Sequence, residues 1–250
     1  MGHRTTQPEA ISPWALVKRQ HGVLARGQLL ELGFGPKVIK HRVTVGRLYQ
    51  VHRGVYAVGR PQLTVHGRWM AAVLRCGEAA VLSHQSAAAL WRIRPVTKDE
   101  IEVSVSVRTS SRPPGIAVHR RAALAPDDVT RHDGIPTTTP ICTLIDIAAQ
   151  LNRDQLEAAI NEADKLDLTT PVELRAALDK TSRRQGIRSL RELLDRRTFT
   201  LTDSELERRF LRLVRSAGLP APETGRYVNG FKVDFYWPHL GLVVETDGLR

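Results

Sequence analysis

Residues 35–58 run GPKVIKHRVTVGRLYQVHRGVYAV. Gly35-Pro36 opens a helix, because proline suits a first turn where its missing N–H is not needed. Gly46 closes that helix with a left-handed stop, which predicts a helix over Pro36 to Val45. Ile39 and Val43 are four apart and are expected to face the core. Lys37, Lys40, His41 and Thr44 fall at i, i+3, i+4 and i+7, which makes one exposed stripe. The stripe is short, basic and rich in hydrogen-bonding groups, as a helix in a DNA major groove requires. Leu48 to Val51 and Val55 to Val58 then flank a His52-Arg53-Gly54 turn. This predicts a β-hairpin with a basic tip at Arg53, in which Gly54 takes the positive φ.

Working outward from this stretch, Ser12-Pro13 starts a first helix that His21-Gly22 ends. A second helix is expected from Ala25 to Leu32, with Leu29 and Leu32 inward and Gly33 as its stop. Three short helices and a basic hairpin predict a winged helix-turn-helix over residues 1–60. The charge agrees. The 250 residues carry a formal +11, and residues 1–60 alone hold ten Lys and Arg against two acids, a local +8. A strongly basic segment at one end reads as a polyanion-binding module. Hydrophobic residues make up 42%, ample for buried cores, so wholesale disorder is excluded. The longest apolar run is about five residues, Met70 to Leu74, too short for a membrane span. Cys76 and Cys142 are far apart, which excludes a disulfide scaffold or zinc module and points to a reducing cytoplasm.

Residues 61–197 predict a mixed connecting body. Helices are expected at Thr64–Cys76 and Ser83–Trp91, and strict alternation predicts a half-buried strand over Ile101 to Val107. A second strand spans Ile116 to His119, and Gly134-Ile135-Pro136 reads as loop. Four helices follow: Pro140–Leu151, Asp154–Leu166, Pro171–Lys180 and Gly186–Asp195. His84, His119 and Asp146 sit on separate elements at no diagnostic spacing, so packing or solvated roles are expected for them. Arg183-Arg184, Arg188, Arg191 and Arg196-Arg197 form a basic run, usually the solvated face of a helix.

The runs Gly22 to Leu30, Gly46-Arg47-Leu48 and Val51 to Tyr56 resemble the winged-helix region of AbiEi-type antitoxins, the regulator half of a type IV toxin–antitoxin pair. Ser83 to Trp91 and Thr139-Pro140 through Asp146 resemble the body of the same proteins. The resemblance implies sequence-specific binding of double-stranded DNA, repression of the protein's own promoter, and a cognate toxin as partner. In that family's Thr-Pro-x-Arg-Thr run an arginine is expected where Cys142 stands.

Residues 198–250 predict a helix and three strands. Thr202-Asp203-Ser204-Glu205 is a capping box, and the helix continues through Glu207, Phe210, Leu213 and Val214 to Gly218. Asn229-Gly230 joins Arg226-Tyr227-Val228 to Phe231–Phe235, and Pro238-His239 turns into Gly241–Asp247. Glu245 and Asp247 share one strand face, and Asp234 is expected across from them. Converging carboxylates call for a cation, and hard oxygens suit Mg²⁺ or Mn²⁺. The apolar Val243-Val244 argues for a buried strand beside them. Glu207 is expected to point at the sheet and is preferred over Glu205 as a further site acid.

Ser204 to Glu207, Val233-Asp234-Phe235 and Glu245-Thr246-Asp247-Gly248 resemble the PD-(D/E)xK nucleases of the very-short-patch-repair-like group. The resemblance implies metal-dependent hydrolysis of DNA phosphodiesters. Asp234, Glu245 and Asp247 would hold the ion, Glu207 would assist, and Lys232 is a weak candidate for the missing motif lysine. That fold is expected to continue with a histidine, a helix and a strand past Arg250. The expected fold is α+β: a winged helix, a mixed body over 61–197, and a partial restriction-endonuclease-like core over 198–250. The leading function is a DNA-binding, AbiEi-like protein fused to an endonuclease-like domain. The alternative is a non-enzymatic repressor or antitoxin with an inactive nuclease-like tail.

Overall fold

A computed structural model describes residues 12–96, 100–106, 113–121, 124–180, 186–194 and 203–246. Val107, the pairs Arg183-Arg184 and Arg196-Arg197, and Asp247 therefore lie outside the described residues, as does the side chain of Glu205. The chain forms two compact units, Met1–Ile147 and Ala148–Arg250. No helix among the described residues is long and apolar enough to cross a membrane.

Unit 1 begins with α1 (Pro13–Arg19), β1 (Val23–Ala25), α2 (Arg26–Glu31), α3 (Pro36–Thr44), β2 (Leu48–His52) and β3 (Val55–Val58). The helices and hairpin stand where proline starts and glycine stops place them: Gly33, Gly46 and Gly54 all have positive φ. The short β1 is unforeseen. It pairs antiparallel with β3, giving a sheet in the order β1-β3-β2. Period-2 alternation sorts the two faces of this sheet. Leu24, Leu48 and Tyr56 pack with Leu29 and Ile39 in a small helical core. Val23, Val55 and Ala57 join a second, larger core built on Trp69, Met70 and Val73 of α4 (Val65–Cys76). Residue 60 is therefore no break in packing, because a piece ending there would expose Val23, Val55 and Ala57.

Val43, expected inward, is instead 38% exposed. The α3 helix buries Ile39 alone and leans on Phe34 through the Arg42 guanidinium, 4.7 Å above that ring.

Beyond α4 the chain builds β4 (Val81–Leu82), α5 (His84–Leu90), β5 (Ile101–Val105), β6 (Ile116–Arg120), β7 (Val129–His132), β8 (Ile135–Thr138) and α6 (Pro140–Ile147). The strands form one mixed sheet in the order β6-β5-β4-β8-β7. Gly134-Ile135-Pro136, expected as loop, lies in the β7–β8 hairpin, which turns on Asp133-Gly134 at φ +48° and +76°. A Cβ on Gly134 would lie 2.7 Å from the Arg19 carbonyl oxygen, so close approach and backbone both demand glycine there.

Unit 2 contains α7 (Arg153–Lys165), α8 (Pro171–Lys180), α9 (Ile187–Leu193), α10 (Asp203–Ser216), β9 (Glu223–Val228), β10 (Phe231–Trp237) and β11 (Leu242–Val244). Asn152 and Gln155 cap α7 reciprocally, at 2.9 and 3.3 Å. The carboxylate of Asp164 is 1% exposed; it accepts from Arg212 at 2.7 Å and pairs with Arg209 at 3.5 Å, clamping α10 to α7. The β11-β10-β9 sheet sets Phe235 and Trp237 against Val214 and Phe210 of α10. One expectation fails here. Among the described residues β11, expected as a buried strand, is an edge strand whose Leu242 and Val243 are 46% and 37% exposed.

Candidate functional site

Three groups of residues carry chemistry, and each is best followed from its backbone. The first is basic. On α3, Lys37, Lys40, His41 and Thr44 are all exposed, as the spacing predicts. The Thr44 hydroxyl donates back to the Lys40 carbonyl at 3.1 Å, leaving its oxygen outward as an acceptor. Arg53, at the hairpin tip, does something sequence reading missed. With Arg26, Gln50, Gly54, Tyr56 and Arg75 it lines an open hollow of about 540 Å³. Three guanidiniums line that hollow, and its described lining includes no carboxylate. The Arg26 N–H donates to the Gly54 carbonyl at 2.8 Å, which fixes the start of α2 to the hairpin turn. Burial, together with the charge of Arg75, holds the pKa of His52 below its ordinary value, so this part of the hairpin stays neutral near pH 7.

The second group is the acids of unit 2. Val233, Phe235 and Trp237 are buried on one face of β10, which leaves Lys232, Asp234 and Tyr236 on the other. That placement of Asp234 matches the alternation. Its carboxylate is engaged locally, accepting from the Thr246 N–H at 2.8 Å and the Thr246 hydroxyl at 2.9 Å. Glu245 is exposed and Glu207 half-buried. Among the described residues, Glu207, Asp234 and Glu245 do not close into a three-ligand group. Asp247, the remaining expected ligand, lies outside those residues.

The third group gathers residues the sequence left scattered. β5 and β6 pair in parallel, with Ser104 opposite His119. Alternation sends Val103, Val105 and Ile116 into the large core and turns Glu102, Ser104 and His119 to the opposite face. The first turn of α5 lies against that face. The Ser83 N–H donates to the Glu102 carbonyl at 3.0 Å and the Gln85 N–H to its carboxylate at 2.7 Å. His84 adopts φ +50°, a left-handed backbone rare outside glycine and asparagine. Its ring stacks on that of His119 at 3.7 Å between centroids, and His119 Nε2 lies 3.1 Å from Glu102 Oε1. Burial first, then the charge of His119, with a smaller push from Arg121 and against the pull of Glu102, drive the His84 pKa down to about 3.

Behind the histidines runs a buried polar chain. Arg121 Nε donates to Ser104 Oγ at 3.1 Å, and Ser104 Oγ donates to Ser83 Oγ at 2.8 Å. Ser83 Oγ in turn lies 3.0 Å from His84 Nδ1. The other arm of the guanidinium pairs with Asp146 and reaches Cys142 Sγ at 3.5 Å. A guanidinium thus stands beside Cys142 after all, supplied by Arg121 from the end of β6. The signal available in the sequence was the polar half of the Ile101-Glu102-Val103-Ser104-Val105 alternation.

The sequence matches the AbiEi antitoxin C-terminal domain family over residues 36–196, more than half of its 250 residues. The chain belongs to the AbiEi antitoxin family. It is 30% identical over 221 residues to two uncharacterized proteins of Mycobacterium tuberculosis, MT2308 (strain CDC 1551 / Oshkosh) and Rv2248 (strain ATCC 25618 / H37Rv). Each match covers 84% of this chain and 77% of the relative. The crystal structure of the RV2827C protein from Mycobacterium tuberculosis is similar over 71% of this chain and 84% of that one, at 18% identity and a TM-score of 0.38. The family match begins inside the hairpin-bearing region and takes in the histidine cluster, Arg121, Cys142 and Asp146, and it ends before α10.

Proposed function

We propose that this AbiEi-family chain is a non-enzymatic, DNA-binding regulator of a toxin–antitoxin pair, whose first 60 residues act as a winged helix-turn-helix. The observation that carries this reading is the concentration of cations. Residues 1–60 carry a local +8; of its cations Lys37 and Lys40 lie on the exposed stripe of α3, and Arg26 and Arg53 line the hairpin hollow together with Arg75. In this reading α3 enters the major groove, with Lys37, Lys40, His41 and Thr44 toward base edges and phosphates. Arg53, Arg26 and Arg75 hold the phosphate backbone beside it. The family supplies the expectation of a cognate toxin, which the remainder of the chain would contact.

The non-enzymatic form is preferred over the nuclease form for two reasons. The Asp234 carboxylate is occupied by Thr246, and Glu245 is exposed on the edge of the sheet. The test uses the full chain, because the hairpin shares a core with α4. Selection from a random duplex pool should return a preferred sequence. Anisotropy titrations on that sequence should give a log–log salt slope of about −0.9 per phosphate contacted. Lys40→Glu together with Arg53→Glu should weaken binding at least tenfold at any sequence, whereas Arg188→Gln on α9 should leave it unchanged. Binding without a salt slope, or equal loss in the double variant and in Arg188→Gln, would overturn the winged-helix assignment. Plasmid nicking by the same preparation in Mn²⁺, lost in Asp234→Asn, would restore the endonuclease reading.

A further inference from the structure

Three residues of unit 1 combine the chemistry and the spacing of a metal centre. His84, Glu102 and His119 each offer one ligand atom, all within 4.8 Å of one another, and all three side chains are half-buried, so an ion can reach them from solvent. We propose that they form a divalent-metal site of the Zn²⁺ type, with one ring nitrogen of each histidine and one Glu102 oxygen as protein ligands and a fourth position open to solvent. The assignment does not depend on the DNA-binding reading.

Donor chemistry selects the ion. Two imidazoles and a carboxylate form a borderline set that suits Zn²⁺ and Co²⁺ better than Mg²⁺, which prefers oxygen alone. Distances agree as well. Ligands about 2.1 Å from a tetrahedral ion sit about 3.4 Å apart. The His119–Glu102 pair, at 3.1 Å, is already near that spacing. There the ion takes the place of a shared proton. His84 makes the remaining approach by tilting its ring out of the stack, since a bound ion lies in the plane of each imidazole it meets.

Supporting groups around the three ligands are in place. The Ser83 hydroxyl beside His84 Nδ1 is held in turn by Ser104 and Arg121. With the proton on Nδ1, His84 donates to Ser83 and presents Nε2 as a lone pair, the arrangement that outer hydrogen bonds impose on metal-ligating histidines. Glu102 is oriented by the Gln85 N–H on its other oxygen. His84 keeps a left-handed backbone, a strain of the sort that clusters at functional sites. The molecule carries its own control in a second histidine group. His66 lies 3.5 Å from the Asp133 carboxylate, but His21 Nε2 is turned to the Asp133 carbonyl at 2.6 Å, and the three do not close into a ligand set.

The experiment is metal titration of the full, tag-free, chelator-stripped chain by calorimetry and equilibrium dialysis, with Zn²⁺ and Co²⁺ as probes. One equivalent per chain should bind, and Co²⁺ should develop a visible ligand-field band. His119→Ala and Glu102→Gln should each weaken Zn²⁺ binding at least tenfold and remove the band, while His66→Gln leaves both intact. His84→Asn keeps the measurement interpretable if the alanine variant unfolds, because asparagine tolerates the left-handed backbone; it too should lose the equivalent while keeping a wild-type circular dichroism spectrum. Absence of a stoichiometric equivalent would overturn the assignment. So would an equivalent that survives in His84→Asn and Glu102→Gln, or one that His66→Gln abolishes.

Discussion

Glu102 in unit 1 and Asp234 in unit 2 both stand on an inner strand, on the polar face of an alternating pattern, yet they meet different fates. β5 lies inside a five-stranded sheet, and its polar face is covered by the first turn of α5. That cover brings His84 and the Gln85 N–H onto the carboxylate, while the Ser83 N–H holds the Glu102 carbonyl. β10 lies inside a three-stranded sheet with α10 packed on one face. On the other face Lys232 is exposed and Asp234 settles on the neighbouring Thr246. Among the described residues Glu207, Asp234 and Glu245 do not close into a three-ligand group, whereas Glu102 and His119, separated by a crossover, meet.

The contrast predicts a large asymmetry in stability. Asp146→Ala strips the partner from a guanidinium that is itself 13% exposed, and should cost about 3–5 kcal/mol in urea denaturation. Asp234→Asn weakens hydrogen bonds on the face of β10 opposite α10 and should cost about 1 kcal/mol. Equal losses would erase the distinction between the two faces.

The two Xaa-Gly hairpin turns sharpen the point at a smaller scale. Asp133-Gly134 and Asn229-Gly230 both take positive φ. Gly134 abuts the Arg19 carbonyl, whereas a Cβ on Gly230 would meet nothing within 4 Å. Gly134→Ala should therefore cost about 2–3 kcal/mol, and Gly230→Ala only about 1 kcal/mol from backbone strain. Parallel thermal melts of the two variants check this ordering.

The third prediction concerns acid. His84 is held neutral in the folded state, with its pKa at about 3, against the ordinary histidine value of 6.5 in the unfolded chain. Between those values the unfolded chain binds more protons, so this group's contribution to stability is complete above 6.5 and is lost as the pH falls toward 3. In metal-free protein the difference between wild type and His84→Asn should change by about 1–2 kcal/mol between pH 7 and pH 5. A flat difference would mean that His84 is not desolvated and that the cover over β5 is loose.

Legibility in the sequence followed the same division. Pro13, Pro36, Gly33, Gly46 and Gly54 mark starts and stops that act through local backbone geometry, so the first three helices and the hairpin are readable from residues alone. β1 and β4 are three and two residues long, too short to show a period. The β7–β8 hairpin carried the Asp133-Gly134 signal, but Pro136 inside β8 spoke against a strand. Val43 is expected inward from helical spacing, which says which residues share a face and nothing about whether a neighbour covers it. The α3 stripe needed only that spacing, and it is exposed as read. The histidine cluster needed the parallel pairing of β5 with β6, a non-local choice that no spacing of His84, Glu102 and His119 reveals.

β3 has Tyr56 turned into one core and Val55 and Ala57 into the other. Loosening either core therefore strips cover from the other, so the hairpin and α4 are expected to lose their order together. A protease working inward from the amino-terminal end is then expected to find no intermediate stopping place at residue 60. The lifetime of the hairpin surface in a cell would follow the opening of both cores at once.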